Sequence, residues 1–486
     1  TENRFRVEWS EVVDALIAID SPSSTATFWT ICLHVRYGLY IVIYQIYGIR
    51  AGQFAFERLL AIAGDTNAGM LYADRYLLKN GNSQQAPVID YQKGSLRDDF
   101  DFGSLLFFRS SVLKQAVRAM DADYRFAGCM TFAFVPELAE LVHVNEYLYS
   151  EVETDIRKSG EKLFDYVDPK NRAVQIEMEA VCTAYLKRVG GYLAPDFEPV
   201  TFDAGGFEQE ASVIIPVRNR IRTIEDAIRS VLAKNAFRFN LIIVDNHSTD
   251  GTSEAIEKYT ADGRVVHLVP ERSDLGIGGC WNVGVHHPAC GKFAVQLDSE
   301  IVYSGPDTLQ KIVDAFYEQN CAMVVGTYRM TDFKMNEIPP GIIDHREWTL
   351  ENGRNNALRI NGLGAPRAFY TPVLRRINLP KQAMEKIMFG AANLRTWRIG
   401  RIYDVLYLCR RWEDNSDAAL DVVKMNGHNT YKDRIRTWEL QARIALKLIR
   451  PNDFFLVFWL FAHYGSFFTT FVLRDKLPAT MKTRSL

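Results

Sequence analysis

The sequence predicts an α/β protein, with a mostly parallel sheet flanked by helices, and three short runs carry that prediction. Ala211 to Val217 is apolar and passes into Arg218-Asn219-Arg220. Leu241 to Val244 passes into Asp245-Asn246-His247-Ser248-Thr249-Asp250-Gly251. Lys292 to Leu297 passes into Asp298-Ser299-Glu300. Short β-branched runs bounded by turn residues read as buried strands. Between the first two, Thr223 to Lys234 carries apolar residues at 224, 227, 228, 231 and 232, the spacing of one helix face. A strand, a helix and a second strand in so short a stretch imply parallel pairing. Ligands of such sheets gather at the carboxyl ends of the strands, where all three polar clusters fall.

Composition narrows the function. The chain has 486 residues and a formal net charge of -2, so no electrostatic case exists for nucleic acid as a partner. Its seven cysteines are scattered, with no Cys-x-x-Cys pair, which argues against a zinc knuckle or a disulfide framework. A reducing, cytoplasmic setting is expected. The first residue is Thr1, so the natural protein is expected to extend upstream. Phe454 to Leu473 carries no formal charge and is long enough to span a bilayer. Its His463, Gly465, Ser466, Thr469 and Thr470 favour a buried or interfacial helix, so peripheral membrane contact is expected there.

In chain order, Val7 to Ile19 is amphipathic and stops at Ser21-Pro22-Ser23-Ser24. An apolar segment follows from Phe28 to Ile49, interrupted by His34 and Arg36. The next stretch reads as a partial copy of a later one. Asn67 to Tyr72 resembles Asn320 to Val325, Phe107 to Leu113 resembles Ala368 to Leu374, and Tyr147-Leu148 resembles Tyr407-Leu408. The near-constant offset argues for an internal duplication that lacks the opening strands. Residues 1–200 are therefore expected to be a partial or degenerate α/β unit. A helix from Lys170 ends at Gly190-Gly191, and Leu193 to Pro199 reads as a linker. The second unit is placed at 201–440. After Asp298 it shows a helix (Asp307 to Gln319), a strand (Ala322 to Tyr328), a Gly- and Asn-rich loop (Asn352 to Pro366) and a strand (Arg401 to Cys409). A basic amphipathic helix from Tyr431 to Ile449 leads into the C-terminal apolar stretch, and a C-terminal helical and apolar segment is placed at 441–486.

The ordered set Val213-Ile-Ile-Pro-Val-Arg-Asn219, Val244-Asp245-Asn246-His-Ser-Thr-Asp250-Gly251, Gly276 to Gly284 with Trp281-Asn282, and Leu297-Asp298-Ser299-Glu300 resembles the nucleotide half of a family 2 glycosyltransferase of the GT-A (Rossmann-like) fold. The resemblance implies transfer of a sugar from a nucleotide donor, usually a UDP-sugar, to a hydroxyl of a glycan or other acceptor, with inversion. It implies that Pro216 and Arg218 line the nucleotide pocket and that Asp245, with Asn246 beside it, meets the base. Asn282 would sit near the nucleotide. Asp298 and Glu300 would stand for the family's Asp-x-Asp motif, which holds Mg²⁺ or Mn²⁺ against the diphosphate.

The residue chemistry agrees. A leaving diphosphate develops negative charge that a divalent cation neutralises, and hard cations take carboxylate oxygens. His428 is a candidate further metal ligand, since a late histidine is common in the fold. Arg410 and Arg411 could clamp a diphosphate, and the Trp412 indole could stack on an acceptor sugar. Two departures stand out. The metal motif ends in Glu300 rather than Asp. Where inverting members carry a catalytic Asp, this chain has Met384-Glu385-Lys386-Ile387, so Glu385 is the candidate base and Lys386 occupies the expected acid's place. A protonated lysine cannot take a proton from an acceptor hydroxyl. Asp414 and Asp417 are weaker substitutes. The rival reading is a domain that binds a nucleotide sugar, or serves as a scaffold, without transferring the sugar. A nucleotidyltransferase shares the sheet but lacks its Gly-rich phosphate loop in Val217 to Arg220.

Overall fold

The computed structural model describes residues 24 to 448, except 35–38, 44–47, 80, 121, 128–138, 154–164, 166–167, 204, 234–236, 347–348, 361–364, 378–394, 413–414 and 416–419. Val7 to Ile19, Glu385, Lys386, Asp414, Asp417 and Phe454 to Leu473 lie outside the described residues.

The described chain forms two compact units that do not follow chain order. One takes the residues up to Tyr91, Asp99 to Ile156 and Arg172 to Tyr185; the other takes Gln92 to Asp98, Arg157 to Asn171 and the chain from Leu186 on.

The first unit opens with α1 (Thr25–His34), β1 (Leu39–Ile43), β2 (Arg50–Ala51), α2 (Ala55–Thr66), β3 (Met70–Lys79) and β4 (Asn82–Ala86). It continues with β5 (Leu105–Arg109), α3 (Ser110–Arg118), β6 (Leu141–Val152) and most of α4 (Arg172–Val189). Its sheet runs β1-β5-β3-β6-β2, with β4 also on β3. Only β3 and β6 pair in parallel. Leu59 and Ala63 of α2 pack on Leu71, Leu105 and Phe107 to form its core.

The second unit holds β7 (Ala211–Val217), α5 (Ile224–Leu232), β8 (Phe239–Asp245), α6 (Thr252–Glu257), β9 (Val265–Leu268) and α7 (Gly276–His286). Then come β10 (Phe293–Gln296), β11 (Ile301–Tyr303), α8 (Thr308–Gln319), β12 (Met323–Thr331), β13 (Glu337–Ile343) and α9 (Gly353–Asn356). The unit closes with β14 (Arg367–Tyr370), α10 (Thr371–Ile377), β15 (Ile399–Arg410) and α11 (Val422–Leu448). Its sheet order is β9-β8-β7-β10-β14-β12-β15-β11, with β13 also on β12. The β9-β8-β7-β10 half is parallel. Strand β14 runs against both its neighbours, which makes the whole sheet mixed. This is the α/β, helix-flanked architecture expected of the GT-A fold.

Period-two alternation explains why the central strands are apolar throughout. Val213, Ile215, Leu241 and Ile243 face a core shared with Ala227, Ile228 and Val231 of α5. Ile214, Ile242 and Val244 face the opposite core with Cys280, Trp281 and Val285 of α7. Gly284 lets α7 settle on β7, because a Cβ there would lie 2.6 Å from the Ile214 Cγ2.

Helix α11 begins well before the expected Tyr431, so His428 sits on a helix and the boundary placed at 440 falls inside one. It is held by buried charge rather than by a simple apolar stripe. Asp433 accepts from Ser95 Oγ (3.0 Å), Arg97 Nε (3.3 Å) and Arg436 Nη1 (3.0 Å). Glu439 binds Arg443 (2.7 Å) and Arg395 (3.0 Å). Asp98 pairs with the buried Arg359. A Cβ at Gly94 would lie 2.2 Å from the Thr437 nitrogen, so residues 92–98 lie flat on this helix. These contacts give the physical reason that a short early segment belongs to the second unit. Among the described residues no helix is long and apolar enough to cross a membrane.

The two sheets share a pattern. In the first unit β5 lies antiparallel between β1 and β3, β3 is parallel to β6, and β6 is antiparallel to β2. In the second, β14 lies antiparallel between β10 and β12, β12 is parallel to β15, and β15 is antiparallel to β11. Helices α2 and α8 precede β3 and β12, and α3 and α10 follow β5 and β14. Even the irregularities agree, with register breaks flanking Asp74 in one and Thr327 in the other. Arg75 stands opposite Tyr149 as Tyr328 stands opposite Tyr407. Tyr149, not Tyr147, is therefore the positional counterpart of Tyr407, two residues from the match read in the sequence.

Candidate functional site

The carboxyl ends of β7 and β8 are stitched together by short polar side chains. Asn219, in the left-handed region at φ 54°, takes its backbone N–H to Ser248 Oγ (2.9 Å), and its Oδ1 accepts from Thr249 N (2.8 Å). Arg220 N donates to Thr252 Oγ1 (2.8 Å), and Ile221 N to Asp250 Oδ2 (3.2 Å). Asp250 also receives the N-terminal Thr252 N–H of α6 at 3.1 Å. Asn, Asp, Ser and Thr are suited to this work because their side chains substitute for backbone partners in turns.

Asp245 organises the second loop. It is wholly buried at the end of β8. Its Oδ1 accepts Ser248 N (2.9 Å) and its Oδ2 accepts the Ser253 hydroxyl. His267 on β9 brings Nε2 to 3.8 Å from Oδ2, while its Nδ1 lies 2.7 Å from Glu257. Burial alone would raise the Asp245 carboxyl, but His267, Ser253 and Ser248 together hold it well below the usual range. Asp245 raises the His267 imidazole, with Glu257 adding and burial opposing. Next along, Asn246 is buried, its N–H bonds Val217 O (2.8 Å), and its side-chain oxygen has no partner among the described residues. Pro216 is buried within β7, opposite Val244, and Arg218 is exposed just past the strand end.

Strand β10 adjoins β7 and delivers the acidic motif. Arg367 Nε donates to Gln296 Oε1 (2.7 Å), and Gln296 Nε2 donates to Asp298 Oδ1 (3.2 Å). The Tyr407 hydroxyl fixes the Gln296 carbonyl. Asp298 thus has one oxygen positioned by a buried chain of contacts. Burial and the Asp298 charge both raise the Glu300 carboxyl, with Arg220 opposing. Two carboxylates whose charges resist each other, with hard oxygen donors, suit a divalent cation. Among the described residues no three His, Cys, Asp or Glu side chains gather to hold a metal, and His428 lies on α11.

The other expected residues divide. Asn282 lies on α7, whose buried face packs on β7 and β8. Arg410 is almost wholly buried and fully engaged: Nε to Glu300 O (2.8 Å), Nη1 to Asp226 (2.7 Å) and Nη2 to Thr223 O (3.4 Å). That guanidinium braces β15, the acidic motif and α5, with each of its three nitrogens on a protein acceptor. Arg411 ties its N–H to Thr331 O. Trp412 packs on Phe333 (4.9 Å), and Arg222 lies over both rings, at 4.4 Å and 5.0 Å. Sequence reasoning did not single out Arg220, Arg222, Ser253, His267, Gln296, Phe333 or Arg367. His267 and Gln296 were visible as lone polar residues inside apolar runs; the others come from distant parts of the chain with no local signal.

Residues 212–376 match the family model described as Glycosyl transferase family 2. TuaG of Bacillus subtilis, named for a glycosyltransferase of teichuronic acid biosynthesis, is 31% identical over 119 residues, which is 24% of this chain and 46% of TuaG. An uncharacterized glycosyltransferase of Rickettsia conorii is 34% identical over 96 residues, or 20% of this chain and 15% of that protein. The chain therefore spans less than half the length of these curated relatives. Among solved structures, S. aureus TarS 1-349 in complex with UDP-GlcNAc aligns with 21% identity and a TM-score of 0.37, over 51% of this chain and 76% of that one.

Proposed function

We propose that the glycosyl transferase family 2 domain at residues 212–376 moves a sugar from a nucleotide donor of the UDP-sugar class to a hydroxyl of a glycan or other acceptor, with inversion. The observation that carries this reading is Asp298 and Glu300 at the end of β10, beside the stitched ends of β7 and β8. The chain leaves β7 through α5 toward β8, while β10 lies on the other side, so these ends form the switch point where α/β sheets bind ligands. Asn246 presents an unpartnered oxygen for the base, and Asp245 acts by positioning that loop rather than by facing outward. Pro216 lines the floor, Asn282 approaches from α7, and Arg218 is exposed for the diphosphate. Asp298 and Glu300 would hold Mn²⁺ or Mg²⁺, which when bound supplies charge neutralisation to the leaving diphosphate. Glu385 would take the acceptor hydroxyl proton while that oxygen bonds to the anomeric carbon and the bond to the diphosphate breaks. A cytoplasmic enzyme touching a membrane surface through Phe454 to Leu473 is consistent with such a role.

Lys386, at the expected acid's place, favours a second reading: donor binding without transfer. Incubation with a panel of nucleotide sugars and Mn²⁺, reading both binding and nucleotide release, separates the two. Release that is lost in Glu385→Gln while binding persists supports transfer. Binding with no release, unchanged by Glu385→Gln, overturns it.

A further inference from the structure

Strand β9, Val265-Val266-His267-Leu268, carries one polar residue among apolar ones. His267 stands opposite Ile243 on β8. Residues opposite each other in a sheet point to one face, and so do residues two apart along a strand, so His267 shares its face with Ile243 and Asp245. Helix α6 covers that face with Ser253 and Glu257, one turn apart. Each meets one member of the strand pair. The Ser253 hydroxyl donates to Asp245 Oδ2, and Glu257 Oε1 lies 2.7 Å from His267 Nδ1. His267 Nε2 lies 3.8 Å from Asp245 Oδ2 and closes the ring of four side chains. The imidazole is therefore set between two carboxylates, Asp245 buried and Glu257 exposed. Only the doubly protonated ring presents an N–H to both; the neutral ring would turn a lone pair toward one of them.

We infer that His267 is a positioning residue for the nucleotide: an imidazolium steadied by Glu257, it supplies the buried counter-charge to Asp245 that keeps the 246–248 turn closed. The inference rests on the reading of that turn as part of the nucleotide site. The route is short. Asp245 Oδ1 accepts Ser248 N at 2.9 Å, and between them His247 holds a left-handed φ of 59°. A residue with a side chain stays in that region only when its surroundings hold it there. Asn246, whose side-chain oxygen has no partner among the described residues, opens the same turn. The electrostatics agree in sign. Asp245 raises the imidazole above its ordinary value, burial opposes and Glu257 adds to the rise. The Cys280 thiol of α7, which feels the Asp245 charge, is pushed up to about 11, chiefly by burial, and stays neutral at physiological pH. A group that binds its proton more tightly in the folded chain gives full support below its ordinary value, about 6.5 for histidine, and loses it as pH rises through the raised one. Nucleotide affinity should fall over that window.

Calorimetric titration of the full chain with UDP-glucose and Mn²⁺, from about pH 6 to about pH 8.5, tests it. Parental affinity is expected to fall by about threefold or more across the range. Glu257 is exposed, so Glu257→Gln keeps the fold, and it should move the fall to lower pH by about half a unit. His267→Gln should bind about tenfold more weakly at the acid end and lose the fall altogether. Glu300 titrates in all three proteins, so the differences among them report His267. A merely structural histidine would weaken binding equally at every pH. Parental pH dependence in both variants overturns the inference alone. A parent that binds no UDP-glucose at any pH overturns the nucleotide reading and the inference with it.

Discussion

Glu300 keeps its proton to higher pH than an ordinary glutamate, because burial and Asp298 both oppose its charge. A metal ion held by this pair competes with that proton. The sign follows: as pH falls, Mn²⁺ affinity should begin to drop above the ordinary glutamate value of about 4.3. Calorimetric titration across pH reads this directly, and affinity that stays flat down to the ordinary range overturns it. In Asp298→Ala, Mn²⁺-dependent binding of a UDP-sugar should weaken by about tenfold or more, since even outer-shell changes at metal sites reach that size. Arg218→Ala should weaken nucleotide binding without lowering the melting temperature, because its side chain is exposed. Arg410→Met should do the reverse. It removes a brace with three separate acceptors, and a loss of about 1–3 kcal/mol in denaturant unfolding is expected with Asp226 still half exposed to water. Composition alone could not separate these two arginines. Both follow a strand in the sequence, and only the three-dimensional partners show that one faces water and the other faces the underside of the motif.

At the scale of elements, apolar runs were legible because both faces of the parallel strands are buried, which leaves no polar interruption to confuse the pattern. The strands β7, β8, β10, β12 and β15 all fall where their runs predict. Helix α11 was only half legible. Its buried face contains Asp433, Arg436, Glu439 and Arg443, so a reading that looks for an apolar stripe starts too late. The partners that make those charges tolerable come from residues 92–98 and Arg395, far away in sequence. Glu439 shows how much rests on them. Burial would raise its carboxyl, yet Arg395 and Arg443 hold it down at about 2. Its contribution to stability is therefore present above the ordinary carboxylate value and lost as pH falls toward about 2. Glu439→Gln should cost about 3–5 kcal/mol at neutral pH, because it leaves two buried arginines without their counter-charge. Denaturant unfolding at pH 7 and pH 3 checks both the size and the sign, since the gap between variant and parent should narrow in acid.

For the whole molecule, the matched sheets raise the question of how many donors one chain binds. The first unit repeats the part of the second from β10 to β15, including the register breaks beside Asp74 and Thr327. The two parallel pairs thus break register at the same place in each described sheet. What the first unit repeats is the half without the nucleotide floor. Its described strands include no counterparts of β8 and β9. The metal motif is missing as well. Ile41 pairs with Phe107 as Val295 pairs with Ala368. In sequence, Tyr44-Gln45-Ile46-Tyr47 after β1 carries no carboxylate, whereas Asp298 and Glu300 follow β10. Tyrosine and isoleucine cannot hold a divalent cation against a diphosphate. One nucleotide sugar per chain is therefore expected, with Asp298→Ala weakening all metal-dependent binding rather than half of it. Calorimetric stoichiometry with Mn²⁺ and a UDP-sugar decides the matter. Two sites per chain, or a residual site of parental affinity in Asp298→Ala, would show that the first unit binds donor through residues other than a carboxylate pair, and the inference from its missing motif would fail.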